Sequence, residues 1–268
     1  MTTPIRTNME AVAESKIPLA ELSVPQPVRR AFADVHTHIL PGIDDGAKNS
    51  TVAARLLQTE KKEGVSTVVL TPHFDIMTKD PEEFLRKRDG ILRHFEERLF
   101  QMGFRPGELP ALKLGCELTF PESPDPMLRL RSLCAAGTDI LLMELPYTKK
   151  PDARMFRVID FLMSNNNIRI AIAHIERYQY VKNAEIPRTL REMGCFLQMN
   201  IGSLRSSATA RICKKLLSAG LVDFFGSDCH NPERRPPNWT DGLAASDGVI
   251  GRRGTDEILR NGKRMFEG

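Results

Sequence analysis

The chain has 268 residues, of which 41% are hydrophobic and 27% charged, a balance typical of one globular domain with a large core. Its 38 basic and 34 acidic residues give a formal net charge of +4, too small an excess to indicate a nucleic-acid-binding protein. The five cysteines form no C-x-x-C pair, which argues against a disulfide framework and a zinc ribbon. No segment has the length of a signal-peptide core or a membrane span, so we expect a cytoplasmic protein with no integral membrane segment.

The predicted elements begin after residue 30. Residues 1–30 mix proline, threonine and charge without a sustained period, and we expect a flexible N-terminal extension there. Residues 31–268 alternate short apolar segments with longer amphipathic ones, which predicts a single α/β domain of βα units, a (β/α) barrel. The predicted strands are 31–35, 65–70, 111–116, 139–143, 168–173, 195–199 and 221–225. The predicted helices are 50–63, 81–102, 126–136, 155–163, 185–193, 206–219 and a final one near 254–261.

Local signals mark the first two helices. Asn49 or Ser50 can cap the first, and Pro81 suits the first turn of the second. The apolar stripe of the second helix leaves His94 on the opposite, solvated side. The basic run at 86–88 is interpreted as an ordinary charged surface.

The most informative stretch is the run DVHTHILPGIDDGA at residues 34–47. Because side chains alternate along a strand, His36 and His38 project to the same side, as a pair of metal ligands would. Asp34, Asp44 and Asp45 add oxygen donors within a few residues. Five of the six histidines follow strand-like segments, His94 being the exception, and this placement favours a metal site over chance.

Five predicted strands end in residue types that bind metals. Since the carboxyl ends of the strands of a βα barrel open on one face, these side chains are expected to meet in space. The inventory of imidazoles and carboxylates is too large for one tetrahedral zinc and suits two or three ions. We expect Glu117, Asp45 and Asp228 to supply the oxygen ligands, with Glu117 as a bridge. The strand-end residues are His36 and His38, His73, Glu117, His174, and Asp228 with His230.

Such a cluster suits hydrolysis of a phosphate ester. Clustered cations make hydroxide accessible near neutral pH and neutralise charge on a phosphoryl group. Arg177 and Arg235 follow His174 and His230 by a few residues and are candidates to bind phosphate oxygens. The spacing alone equally allows them to be surface arginines in loops.

Seven motifs occur in order within residues 32–237: DVHTHILPGIDDGA, VVLTPHF, GCELTF, LLMELPY, AIAHIER, QMNIGSLR and GSDCHNPERRPP. Together they resemble the PHP (polymerase and histidinol phosphatase) superfamily, most closely its bacterial tyrosine-phosphatase branch of capsule and exopolysaccharide synthesis. The resemblance implies a distorted seven-stranded (β/α) barrel with a cluster of two to three divalent ions, most often manganese, with iron, cobalt or zinc as alternatives. It also implies a metal-dependent protein-tyrosine phosphatase acting on the tyrosine-rich C-terminal tail of a cognate bacterial autokinase.

The same resemblance assigns residue roles, motif by motif. Arg177 and Arg235 are implied to bind the phosphate. Two departures are visible: the usual His-Pro-Glu-Arg is here His174-Ile175-Glu176-Arg177, and Phe74 follows His73 where a second histidine is frequent. Neither departure removes an expected ligand, and the first bears on the position of the Arg177 loop. The implied metal ligands are His36, His38, Asp45, His73, Glu117, His174, Asp228 and His230.

Other functions remain open at this point. The substrate can instead be a small phosphomonoester of the histidinol-phosphate type, or the chain can be a non-catalytic regulator that binds a kinase tail. A nucleic-acid end is disfavoured by the weak net charge. Cys229 and Arg235 also form the Cys-x5-Arg spacing of thiolate-dependent tyrosine phosphatases, but the intervening residues contain no glycine and include Pro232, which has no amide to offer an anion.

Overall fold

The protein is described by a computed structural model that covers residues 31–125, 127 and 129–267. The prediction of a flexible segment at 1–30 lies outside the described residues. Within them, strands and helices alternate largely as the sequence predicts. The strands are β1 Phe32–Thr37, β2 Val65–Leu70, β3 His73–Phe74, β4 Ala111–Leu114, β5 Glu117–Thr119, β6 Ile140–Glu144, β7 Arg169–Ile172, β8 Phe196–Asn200 and β9 Phe224–Gly226. The helices are α1 Ser50–Lys62, α2 Pro81–Gln101, α3 Ala153–Asn166, α4 Glu185–Glu192, α5 Ala210–Ser218 and α6 Trp239–Glu267.

The strands pair in parallel, as βα units require. One sheet has the order β1-β2-β4 and the other the order β3-β5-β6-β7-β8-β9. Two backbone hydrogen bonds connect the end of β1 to the segment after β9: Asp228 donates to the His36 carbonyl at 2.8 Å, and His38 donates to the Cys229 carbonyl at 3.0 Å. The described chain is therefore an α/β fold with a curled parallel sheet and six helices.

Two breaks in the sheet lie just before candidate ligands; β2 ends at Leu70 as predicted, whereas the other break divides a predicted strand. The segment predicted as one strand over 111–116 is divided at Gly115, whose N–H donates to the Leu70 carbonyl. Pro72 lies between β2 and β3 and, lacking an N–H, cannot donate to a ladder; its carbonyl instead accepts from Glu117 N–H at 3.0 Å. Since the breaks lie beside each other, β3 and β5 start together and carry His73 and Glu117 side by side.

The last helical region, Trp239–Glu267, extends well beyond the predicted segment near 254–261 and is divided at Gly251. Four glycines between 242 and 254 weaken its helical propensity, and Gly251 breaks it with φ 72° and ψ 159°. Tertiary packing compensates, because the Trp239 ring lies 4.7 Å from Phe32 in β1 and the Phe266 ring 5.3 Å from Phe224 in β9. No helix of the described chain combines the length and hydrophobicity needed to cross a bilayer.

The prediction of a helix over 126–136 is wrong. The described part of this segment contains only a 3₁₀ turn, Arg131–Leu133, and Cys134 is already extended. The reason is tertiary. Leu130 N–H donates to the Asn166 side chain at 2.8 Å, and Arg131 donates to the Asn167 carbonyl at 2.7 Å, so the end of α3 holds this segment in a non-helical conformation.

Candidate functional site

The strand ends bring together all eight side chains predicted as metal ligands. Asp45 comes from the loop between β1 and α1, and the other seven lie in or directly after a strand. Each of the eight has a nitrogen or oxygen within 3.6 Å of another member of the set. They are His36 and His38 at the end of β1, His73 after β2, Glu117 after β4, His174 after β7, and Asp228 and His230 after β9.

Glu117 lies at the centre of this cluster and is 1% exposed. Its Oε2 is 3.4 Å from His36 Nε2, 3.3 Å from His38 Nε2 and 2.9 Å from His73 Nδ1, while Oε1 is 2.8 Å from His174 Nε2. Burial by itself would raise the pKa of Glu117, but the surrounding imidazoles, His36 first, hold this pKa well below its usual range. The site thus keeps the buried Glu117 carboxylate ionised, and a buried negative charge is stable only beside positively charged groups or ions.

The titration of the histidines reflects the same charge pattern. Burial opposes protonation of His174, but Glu117 and Glu144 outweigh it and raise the pKa of His174 to about 9. For His230 the balance is reversed, since burial and the nearby His38 lower its pKa to about 4. The carboxylates therefore attract positive charge to one side of the cluster, whereas His230 keeps a neutral ring, the form that binds metals.

The donor atoms fall into three groups whose members lie within 4.8 Å of one another. Glu117 belongs to two of them, and His38 and His73 are also shared. This mixture of imidazole nitrogens and carboxylate oxygens suits divalent transition metals. The groups are His38, Asp45, His73 and His230; His36, His38 and Glu117; and His73, Glu117 and Glu144.

Three buried atoms of the site have no hydrogen-bond partner among the described residues: Glu117 Oε2, His174 Nδ1 and His230 Nε2. The close contact of Glu117 Oε2 with His73 Nδ1 does not meet the geometry of a hydrogen bond. Buried polar atoms without partners are costly, by about 1–3 kcal/mol each. A cation between these donors would satisfy Glu117 and His230, so the residues present fit a metal cluster.

The two arginines proposed for phosphate both contact Asp228. Arg177 Nη1 is 3.2 Å and Arg235 Nη2 2.6 Å from Asp228 Oδ2. Their side chains are 37% and 39% exposed, whereas Asp228 is 4% exposed. Burial would raise the pKa of Asp228, but His36 and His38 hold it well below its usual range. Two guanidinium groups consequently stand at the boundary between the buried cluster and solvent.

The site contains residues that the sequence reasoning missed. Glu144, the last residue of β6, has Oε1 3.3 Å from His174 Nε2, and it obeys the same strand-end rule as the predicted ligands. Tyr147 donates a 2.5 Å hydrogen bond to Glu144 Oε1, and its ring centroid is 5.2 Å from Cζ of Arg177. Gln198, in β8, contacts Nδ1 of His36 at 3.0 Å. Gln198 begins the motif QMNIGSLR, but nothing in that motif indicates that its side chain contacts His36.

Close packing of β9 against β1 requires a glycine at position 226. A Cβ built on Gly226 would lie 2.6 Å from Cβ of His36 and 2.9 Å from the Gln198 amide nitrogen.

Two non-glycine residues of the site, His174 (φ 33°) and Asp228 (φ 54°), have left-handed backbone conformations. Such conformations cost about 1–3 kcal/mol and cluster at functional sites, because surrounding contacts must hold them in place.

Cys229 does not have the environment of a nucleophilic thiol. It is fully buried, and its Sγ faces Glu60 Oε1 at 3.6 Å. Burial, followed by the charges of Glu60 and Asp34, raises the pKa of Cys229 well above its usual range. A thiolate mechanism needs the opposite shift and access to the phosphate. The Cys-x5-Arg spacing from Cys229 to Arg235 is therefore a coincidence.

The chain matches a known protein family and is similar in sequence to proteins named as tyrosine phosphatases. The family model described as capsular polysaccharide synthesis, CpsB/CapC, matches residues 32–267. The tyrosine-protein phosphatase CpsB of Streptococcus agalactiae is 27% identical over 218 residues, covering 76% of this chain and 85% of the relative. The tyrosine-protein phosphatase YwqE of Bacillus subtilis is 24% identical over 208 residues, covering 75% and 78%.

A solved structure has the same fold. It is one of the crystal structures of YwqE from Bacillus subtilis and CpsB from Streptococcus pneumoniae, two proteins described as metal-dependent tyrosine phosphatases. It superimposes with a TM-score of 0.74 at 22% identity, covering 88% of this chain and 94% of that structure. Since the family model spans nearly all the described residues, the chain belongs to the capsular polysaccharide synthesis family CpsB/CapC.

Proposed function

We propose that this protein is a metal-dependent protein-tyrosine phosphatase, a phosphoric monoester hydrolase that acts in the cytoplasm on the phosphotyrosine tail of a bacterial tyrosine autokinase. The observation that carries the proposal is the buried cluster of imidazoles and carboxylates around Glu117, which includes donor atoms without hydrogen-bond partners. Family membership and the names of the relatives support the same activity and a role in capsule or exopolysaccharide synthesis.

The eight predicted residues and Glu144 would hold two to three divalent ions. His174 and Asp228 lie outside the three donor groups, but within 3.6 Å of Glu117 or His36. Glu117 would be the bridge, because it is the carboxylate that two of these groups share. Manganese is the ion we propose; iron, cobalt and zinc accept the same donors. When bound, such ions supply Lewis acidity, which makes water a stronger nucleophile near neutral pH and neutralises charge on a phosphoryl group. The predicted ligands are His36, His38, Asp45, His73, Glu117, His174, Asp228 and His230.

Arg177 and Arg235 would bind the phosphate oxygens. Both guanidinium groups are fixed by Asp228 Oδ2 and remain partly exposed, so they can meet an anion arriving from solvent. The Tyr147 ring supports Arg177 from one side. A planar guanidinium offers paired N–H donors that match phosphate geometry. Substrate binding thus depends on two charges that the protein has already oriented.

Departure of tyrosine requires little help from an acid. A phenol has a pKa of about 10, so its phenolate leaves more readily than an alkoxide. We therefore assign no dedicated general acid. The residues of this chain would then have three tasks. His, Asp and Glu side chains hold the cations, and the two arginines hold the phosphate. The buried centre of the cluster, formed by Glu117, His36 and His38, limits the access of bulk water, whereas Asp45 at its rim is 67% exposed.

The proposal extends to architecture. We infer a single phosphatase domain over 31–268, built as a distorted seven-stranded (β/α) barrel in which β2 with β3, and β4 with β5, each count as one interrupted strand. The hydrogen bonds between β1 and the segment after β9 support this closure. Residues 1–30 would be an extension outside the catalytic domain.

The test is activity of the purified protein on a phosphotyrosine peptide and on histidinol phosphate, before and after chelation and with Mn²⁺ restored. We expect turnover of the peptide that chelation and His38→Ala abolish and that Cys229→Ser largely retains. The reverse response of the two variants would overturn the metal mechanism. Preference for histidinol phosphate would instead indicate a small-molecule phosphatase, and no turnover with Mn, Fe, Co or Zn would indicate a kinase-tail-binding regulator.

A further inference from the structure

A surface cleft of about 480 Å³ lies between the start of α1 and the middle of α2. Arg86, Lys87 and His94 line it from α2, while Asn49 and Ser50 line it from the start of α1. None of these residues belongs to the metal cluster or to the proposed phosphate-binding pair. The sequence interpretation of this basic run as an ordinary charged surface does not account for the cleft.

The charged side chains that line the cleft, Arg86 and Lys87, are both basic, and no carboxylate side chain lines it. Glu97 lies beside it, 3.9 Å from His94, with both side chains more than 70% exposed. Arg86 is 3.6 Å from Glu82, but both side chains are at least 70% exposed, and such surface ion pairs contribute little. Lys87 makes no ion pair with any described residue. The cleft therefore offers charge to an acidic ligand.

The start of α1 adds to this potential. Helix N-termini carry partial positive charge, and α2 compensates its own with Glu82 and Glu83 in the first turn. The first turn of α1 has no acidic residue. Its N-cap, Asn49, satisfies the N–H of Val52. The uncompensated end of α1 thus faces the same cleft as the basic side chains of α2.

Gly90 lines the cleft and contributes no side chain to it. A Cβ added there would meet only the flexible end of Arg93 at 3.9 Å, so no packing contact requires a glycine. Glycine inside a helix is unfavourable by about 0.5–1 kcal/mol relative to alanine. Ile91 and Pro41 provide apolar surface beside it. The cleft can therefore accommodate a chain segment as well as an isolated ion.

The cleft and the metal cluster share the loop between β1 and α1. Pro41, which lines the cleft, is three residues after His38, so their Cα atoms are at most about 11 Å apart, given 3.8 Å per residue. Asn49 is four residues after Asp45, a limit of about 15 Å. An extended peptide spans about 3.3 Å per residue, so three to five residues cover about 10–17 Å, a length that matches these limits for the α1 side of the cleft.

We propose that this cleft binds acidic side chains of the peptide substrate, Asp or Glu, located three to five residues from the phosphotyrosine. The proposal rests on the proposed phosphatase function and adds a substrate preference to it. Arg86 and Lys87 provide the charge, and Pro41 and Ile91 contact the peptide between its acidic residues. The enzyme would thereby distinguish acidic phosphotyrosine peptides from neutral ones.

The test compares kcat/KM for two phosphotyrosine peptides that differ only in Asp or Asn at positions three to five from the phosphotyrosine. Wild type should prefer the acidic peptide about five- to tenfold, as two exposed charge pairs allow. The double variant Arg86→Glu with Lys87→Glu should abolish or invert this ratio, and a peptide with Lys at those positions should then become the better substrate. The ratio cancels any effect of the variant on the chemical step.

Arg252→Glu with Arg253→Glu is the matched control, because it changes net charge equally at exposed positions of α6. It should keep the preference of wild type. A wild-type ratio near one, or a preference that survives the α2 substitutions, would overturn the cleft proposal while peptide turnover stands. Failure of the phosphatase function is distinct, since neither peptide would be hydrolysed. In that case salt-sensitive binding of the acidic peptide, measured by fluorescence anisotropy and lost in the α2 variant, decides the role of the cleft.

Discussion

The side-chain oxygen of Gln198 lies 3.0 Å from Nδ1 of His36 and also accepts a hydrogen bond from the backbone N–H of His174 at 2.8 Å. An amide oxygen has no proton to donate, so Nδ1 of His36 carries the hydrogen in this contact. That leaves Nε2 of His36, which faces Glu117, as the nitrogen available to a metal ion. One glutamine in β8 thereby orients His36, a proposed metal ligand in β1, and the backbone that follows β7.

Gln198→Leu should weaken metal binding by about 10- to 100-fold, the usual effect of removing a group that orients a metal-bound histidine. Without the acceptor, the His36 ring can adopt the other tautomer and rotate away from Glu117. Isothermal titration of the metal-free variant with Mn²⁺ measures the change directly, and phosphatase activity at subsaturating metal should fall in parallel.

Gln198→Glu is the matched control, since it retains an oxygen acceptor for His36 and should stay closer to wild type in metal affinity. Thermal unfolding of the metal-free proteins reports whether either variant is misfolded. Equal losses in the Leu and Glu variants would show that the contact with His36 is not the cause.

Tyr147 contributes through two separate groups, which substitutions can distinguish. Tyr147→Phe removes the hydrogen bond to Glu144 but keeps the ring beside Arg177, so it should lower kcat and metal affinity with little change in KM. Tyr147→Leu also removes the ring. An exposed cation–π contact is worth about 0.5–1 kcal/mol, so KM should rise about two- to fivefold in the Leu variant only. Steady-state kinetics with a phosphotyrosine peptide at saturating Mn²⁺ separates the two effects, and equal KM values for Phe and Leu would contradict the role of the ring.

The sequence was sufficient to predict the cluster because one rule governs it: polar residues at or just after the carboxyl ends of buried parallel strands meet at one edge of the sheet. His36, His73 and His174 obey that rule and lie together. Glu144, the last residue of β6, obeys it too, but a glutamate at a strand end is common in turns, so this pattern alone does not identify it as part of the site. Gln198 was not predictable, because its role arises from a partner 162 residues away.

Other features depend on tertiary contacts that no local pattern encodes. Arg88 belongs to the basic run predicted as a charged surface, yet it is 5% exposed and donates to the Gly115 carbonyl at 3.0 Å. That carbonyl lies where the predicted third strand breaks, between β4 and β5. The buried arginine therefore provides a hydrogen-bond donor to the backbone at the break. Propensity cannot reveal it, because both partners are ordinary in their own segments.

Asp44 and Asp45 are adjacent but should respond differently to substitution. Asp44 Oδ2 accepts from His38 Nδ1 at 2.8 Å and from the His73 backbone N–H at 3.1 Å, whereas Asp45 is 67% exposed and lies 3.4 Å from His73 Nε2 and His230 Nε2. Asp45→Asn should reduce metal content with little effect on the stability of the metal-free protein. Asp44→Ala should destabilise the metal-free protein by about 1.5–3 kcal/mol, the range for hydrogen bonds to charged groups.

Elemental analysis and chemical denaturation of the metal-free proteins distinguish the two aspartates. Asp44→Asn, which retains one oxygen acceptor, should be intermediate in stability. Loss of stability in Asp45→Asn equal to that in Asp44→Ala would contradict the assignment of Asp45 as a ligand and Asp44 as the residue that orients His38.

Glu60, in α1, is fully buried and accepts a hydrogen bond from Trp239 Nε1 at 2.9 Å and one from Ser227 Oγ at 3.4 Å. Burial, and then the neighbouring Asp34, raises the pKa of Glu60 well above its usual range. The folded protein therefore retains a proton that the unfolded chain releases above about pH 4.5. Between these two pKa values, each pH unit lowers the contribution of Glu60 to stability by about 1.4 kcal/mol.

Glu60→Gln should remove this pH-dependent loss, because the amide is uncharged at every pH and keeps an oxygen for Trp239 Nε1. The variant should resemble wild type, or be slightly less stable, near pH 4.5, and should gain on wild type steadily as the pH rises towards 8. Denaturant unfolding at intervals of one pH unit measures the difference in the free energy of unfolding. Glu192→Gln, at an exposed position of α4, controls for the loss of one negative charge. A difference between Glu60→Gln and wild type that stays constant from pH 4.5 to 8 would mean that Glu60 is ionised in the folded protein.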